Sequence, residues 1–165
     1  MADTQMLSMV VKESATTIKN LIEGWNFFLK NEVVVGITQE SNSARGDAPT
    51  NAELLYLHDQ GSPASNIPPR PVLRPAISQP EVRDRIQTLM RDAAVEAIVN
   101  GNKEKCEQNF HKAGMIGRDA CKKYITDGGK LAPNAPSTIA RKGSSKPLID
   151  TGSMLSSITY AVRKK

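Results

Sequence analysis

The sequence predicts an α+β fold: a small antiparallel or mixed sheet of distant strands packed against several helices, with an extended proline-rich arm. Three observations carry this. Apolar residues recur at spacings of three and four in several stretches, the periodicity of one helix face. Two short segments near opposite ends, "EVVVGIT" and "ITYAV", read instead as strands. Between them, six of the ten prolines fall within residues 62–80.

The N-terminal helix occupies residues 1–30. Its periodic part spans 11–30, where Ile18, Leu21, Ile22, Trp25, Phe28 and Leu29 make one apolar stripe and Asn31 is a stop. Three consecutive β-branched valines then favour a strand. Residues 38–50 are a polar loop; its Arg45-Gly46-Asp47, an integrin-binding tripeptide in some extracellular proteins, is read as a chance match. Thr50 or Asn51 can cap a short helix, with Glu53 near its positive end, Leu54, Leu55 and Leu57 turned inward, and Gly61 ending it. In residues 62–80 the prolines cannot donate to a hydrogen-bond ladder and favour extended backbone. Ile67, Val72, Leu73 and Ile77 interrupt them, which predicts an ordered arm lying on something apolar.

A second helix starts near Pro80, with Val82, Ile86, Leu89, Met90, Ala93, Ala97 and Ile98 on one face. Asn100-Gly101-Asn102 interrupts it. A third runs over about 103–126, with Cys106, Phe110, Ala113, Gly114, Gly117, Cys121, Tyr124 and Ile125 along one side. The small residues Ala113, Gly114, Gly117 and Ala120 suggest that a neighbouring helix approaches closely, and Gly128-Gly129 stops the helix. Residues 131–149 read as a loop. Asp150 or Thr151 would then cap a short turn through Ser153-Met154-Leu155, with Gly152 permitting tight backbone. Ile158, Tyr160 and Val162 alternate with Thr159, Ala161 and Arg163 as a half-buried strand.

At 165 residues with 39% apolar composition, the chain suits one domain with a modest core. No run reaches the about 20 apolar residues of a membrane span, and the N-terminus lacks a basic region ahead of an apolar stretch. A soluble protein made in a cytoplasm is expected. Cys106 and Cys121 form neither a disulfide framework nor a zinc motif, and read as buried thiols. Charge is uneven. Residues 1–80 carry 6 Lys/Arg against 8 Asp/Glu, and residues 81–165 carry 16 against 9, so −2 and +7 sum to the overall +5.

Asp150-Thr151-Gly152 behind Leu148-Ile149 has the local pattern of an aspartic protease, where two carboxylates share a proton and activate water. A second Asp-Thr/Ser-Gly is missing, and only thirteen residues follow Gly152, too few for a flap and a supporting crossing. His58 and His111 belong to no metal-ligand spacing, and Gly128-Gly129-Lys130 lacks the upstream glycine and following hydroxyl of a phosphate loop. No catalytic, cofactor or metal residues are assigned, and no enzyme is expected.

Three stretches in this order do resemble a family: "NAELLYLHDQGSP" (51–63), "IPPRPVLRPAI" (67–77) and "LAPNAPSTIARKGSSKPLIDTGSMLSSITYAVR" (131–163). They look like the neck or tail-completion (virion morphogenesis) proteins of long-tailed double-stranded DNA phages. There a helix ending in Gly precedes an Ile-Pro-x-Arg-Pro-Phe/Leu arm, and Pro-Leu-Ile/Val-Asp-Thr-Gly-x-Leu-x-x-Ser-Ile closes the chain. Val72 stands where that family often has Phe, and Met154 where it has Leu. The resemblance implies a non-enzymatic virion component at the neck or tail top, made in the host cytoplasm and assembling as a ring. Its partners would be further copies of itself, adjacent neck or tail-tube/terminator proteins and portal-side proteins, close to genomic DNA.

On that reading Ile67, Pro68, Pro69, Arg70, Pro71, Val72, Leu73 and Arg74 of the arm, with Leu148 and Ile149, supply intersubunit or neck contacts. Arg70 and Arg74 would make bidentate bonds to a neighbour's carboxylates. The alternative is a basic DNA-binding accessory protein using Lys103, Lys105, Lys112, Arg118, Lys122, Lys123, Lys130, Arg141 and Lys142 on phosphates.

Overall fold

Residues 2–42, 48–128 and 130–165 are described by a computed structural model, with side chains from residue 12 onward. Arg45-Gly46-Asp47 and Gly129 lie outside the described residues. The first helix, α1 (Ala2–Lys30), starts earlier than the stripe that predicts it. At its C-terminal end the Asn31 side-chain amide donates to the Phe27 carbonyl at 2.6 Å, satisfying an orphan acceptor as the chain passes directly into β1 (Asn31–Gly36).

β1 pairs antiparallel with β2 (Thr159–Lys164), from Asn31↔Lys164 to Gly36↔Thr159. A two-stranded ribbon is marginal in water unless something covers one face. The cover here is helical. Val33 and Val162 pack against Phe110 and its neighbours, and Val35 packs against a second cluster containing Cys121, Ile125 and Ile158. On the other face Arg163 Nε meets Glu32 Oε1 at 2.8 Å.

The central helix is α5 (Lys103–Asp127), capped at its start by Asn102, whose side chain accepts from the Lys105 amide. Gly128 ends it in the left-handed region at φ 65°. The predicted apolar side is buried almost throughout: Cys106, Phe110, Ala113, Gly114, Gly117, Cys121 and Ile125. Phe110 meets Phe28 of α1 at 5.6 Å between ring centroids. Burial pushes both free thiols up to about 11, with the nearby Glu107 adding to the shift at Cys106.

The two glycines of α5 make room for the sheet. A β-carbon on Gly114 would lie 2.2 Å from the Tyr160 ring, and one on Gly117 would lie 2.8 Å from Val35 Cγ2. The tight helix–helix approach is elsewhere, where Gly24 of α1 crosses α4 (Pro80–Ile98). A β-carbon there would stand 1.9 Å from the Ala97 carbonyl oxygen. α4 and α5 form the most extensive helix pair, and Ala93 and Ala97 sit at the base of that packing.

Two segments differ from expectation. The proline-rich arm is ordered but not extended throughout. It makes a 3-10 turn at Pro63–Ser65 and a short helix, α3 (Leu73–Ile77). Pro75 is tolerated there because it falls in the first turn, whose N–H groups have no intrahelical acceptor. The predicted 131–149 loop contains α6 (Pro136–Lys142), with proline at the first helical position and Gly143 closing it at φ 67°.

Candidate functional site

The three segments quoted above fold around one cleft of about 680 Å³. Its first wall is α2 (Asn51–Gln60). Thr50 Oγ1 accepts from the Glu53 amide, and the Glu53 carboxylate accepts from the Thr50 amide at 2.8 Å, a complete capping box. Gly61 at φ 75° then turns the chain sharply. Ser62 and Ile67 exchange backbone hydrogen bonds at 2.8 and 2.9 Å, closing a small loop with Asn66 in the left-handed region. The Arg70 amide donates to the His58 carbonyl at 2.6 Å and so returns the arm along α2.

Arg70 joins the arm to the second wall. Its buried guanidinium donates through Nε to the Ala132 carbonyl at 2.8 Å and through Nη2 to the Pro133 carbonyl at 2.9 Å. The third wall, residues 148–154, is carried by α7 (Ser153–Ser157), which is tied to α2 by Asn51 Nδ2 donating to Ser153 Oγ and Ser157 Oγ. Leu148 lines the cleft at φ 59°. A β-carbon in that region crowds the following carbonyl oxygen, at a cost of about 1–2 kcal/mol.

The electrostatics are one-sided. Arg70, Arg141 and Lys142 face Asp150 as the single lining carboxylate. His58 Nδ1 is buried in this wall without a partner among the described residues. Desolvation first, then the positive charges of Arg70 and Lys142, hold the imidazole below its ordinary 6.5. By contrast, a second cleft near the α4–α5 contact balances Glu81, Asp119 and Asp127 against Arg85, Lys123 and Lys130.

The anticipated contact residues separate. Ile67, Pro68, Arg70 and Leu148 line the cleft. Val72 is fully buried in the core, Leu73 and Ile149 pack against it half-buried, and Pro69, Pro71 and Arg74 are exposed. Arg70 therefore uses two of its donors within the chain rather than on a neighbour's carboxylate. Of the two caps the sequence offers, Thr151 rather than Asp150 meets the turn. Gly152 is the N-cap of α7 at φ 80°, Thr151 Oγ1 accepts from the Ser153 amide at 3.3 Å, and exposed Asp150 makes no hydrogen bond among the described residues. Sequence reasoning named His58, Arg141, Lys142 and Met154 separately and did not bring them together in one cleft; nothing local marks them as neighbours.

A second surface is α1 itself. Ile18, Leu21, Ile22, Trp25 and Leu29 are 57, 39, 56, 53 and 46% exposed, so five of the six predicted stripe residues face solvent while the sixth, Phe28, meets the core beside Phe27. Among the described residues no helix is long and apolar enough to cross a membrane, and no group of three or more His, Cys, Asp or Glu side chains is arranged to hold a metal ion. No protein family, curated protein or solved structure matches this chain.

Proposed function

We propose that this protein is a non-enzymatic structural subunit of a phage neck, completing the tail or joining head to tail as one member of a ring. It would be made in the host cytoplasm and reside at the neck or tail top. The observation that carries this reading is the uncovered stripe of α1. Five large apolar side chains in one row are costly in water, and contiguous patches of this kind mark association surfaces. A subunit that multiplies by symmetry needs a surface of that kind. The resemblance of residues 51–63, 67–77 and 131–163 supplies the identity of the assembly.

Trp25 is the single tryptophan of the chain and lies in the stripe. Its emission is expected to shift to the blue when the protein assembles with portal-side or tail-top proteins, with rings visible by mass photometry. A protein that stays monomeric and binds neither partner overturns the reading.

The alternative, a basic DNA-binding accessory protein, draws less support from the surface. Lys105 is paired with Glu96 at 2.6 Å, Arg118 with Asp119 at 2.8 Å, Lys123 with Asp127 at 2.9 Å and Lys103 with Glu23 at 3.7 Å. These four of the nine named cations each have a carboxylate nearby that competes with phosphate for them.

A further inference from the structure

We propose that the cleft bounded by α2, the arm and residues 148–154 is a docking site for a carboxylate-bearing peptide segment of another protein. Its volume, about 680 Å³, is enough to take side chains of a bound segment. Three cations against one carboxylate select for negative charge. Leu54, Ile67, Leu148 and Met154 make part of the lining apolar, so the occupant combines carboxylates with aliphatic groups.

Two further features point to an occupant. Leu148 is held in a backbone region that non-glycine residues avoid, and strain of that kind gathers at binding sites. Arg70 is held by two carbonyls, which leaves its remaining N–H groups fixed in place rather than free to collapse. A peptide fits this lining better than a nucleic acid backbone does: Asp150 can accept from a peptide N–H, which a phosphodiester lacks, and the apolar lining has no counterpart on a phosphodiester chain. The inference stands on the cleft alone, so it succeeds or fails independently of the ring assignment.

The test applies the labelled full-length protein to an array of immobilised random hexapeptides. Retained sequences are expected to be rich in Asp and Glu beside aliphatic residues. The best of them should bind about tenfold more weakly to the Arg141→Glu/Lys142→Glu variant, whose thermal midpoint serves as the folding control. Arg141→Glu alone replaces it should the double variant not fold. Adding the same peptide should shift the His58 ring resonances in NMR spectra. Selection of sequences matching this chain's own acidic segments makes the occupant a second copy and overturns the assignment to another protein. Retention without charge preference, unchanged affinity in the variant, or an unmoved His58 ring overturns the proposal. So does displacement of the peptide by duplex DNA, which assigns the cleft to phosphate.

Discussion

At Gly152 the backbone sits at φ 80°, and among the described residues nothing beyond its own chain neighbours lies within 4 Å of where a β-carbon would stand. Gly152→Ala is therefore a pure backbone test, expected to lower stability by about 1–2 kcal/mol in urea denaturation. Gly61→Ala should cost more, because its β-carbon would also stand 2.8 Å from the Pro69 nitrogen. Asp150→Ala, by contrast, should stay within about 0.5 kcal/mol of the parent; a loss well above that would restore the capping role that the sequence suggests for it. His58 sets a pH dependence. Its folded pKa lies below the ordinary 6.5, so the unfolded chain takes up the proton more readily. The associated stability is present above about 6.5 and is lost as pH falls through the lower folded value. Urea midpoints measured at neutral and mildly acidic pH should fall with acidification, and His58→Gln should reduce that fall.

At the scale of elements, α1 has two faces with opposite sensitivities. Gly24→Ala forces a methyl group into the Ala97 backbone and should destabilise by about 1–3 kcal/mol, read from thermal denaturation, because backbone cannot step aside as a side chain can. Ile22→Glu, on the exposed stripe, should leave stability within about 0.5 kcal/mol and abolish assembly with partner proteins in mass photometry. The helix was legible in the spacing of Ile18, Ile22, Trp25 and Leu29; its environment was not. Periodicity reports which face is apolar, never what covers it. The glycines of α5 teach the same point. Their smallness predicted a close neighbour correctly, yet the neighbour is the sheet, through Tyr160 and Val35. α6 was legible in principle through Pro136 and Gly143, but the surrounding Pro, Ser and Gly residues outweighed those end signals.

Across the whole molecule, a formal charge of +5 does not translate into one basic face. Much of the positive charge on α5 is matched by carboxylates on α1, α4 or α5 itself. Binding to duplex DNA is accordingly expected to be weak, with a shallow dependence on salt in anisotropy titrations. Part of the unpaired charge lies in the cleft, where His58, Arg70, Arg141 and Asp150 come from segments up to 92 residues apart.

The amino-acid order alone was enough for α1, α2, α4 and α5, the glycine stops after α2 and α5, a cap at Thr50 or Asn51 and the two strands at opposite ends of the chain. Each depends on neighbours within a turn or two, where spacing and backbone preference act directly. Folding in three dimensions was needed to pair those strands in register, to turn the α1 stripe outward and to gather three distant segments around His58. Those outcomes depend on which surfaces compete for burial, a comparison made across the whole chain at once.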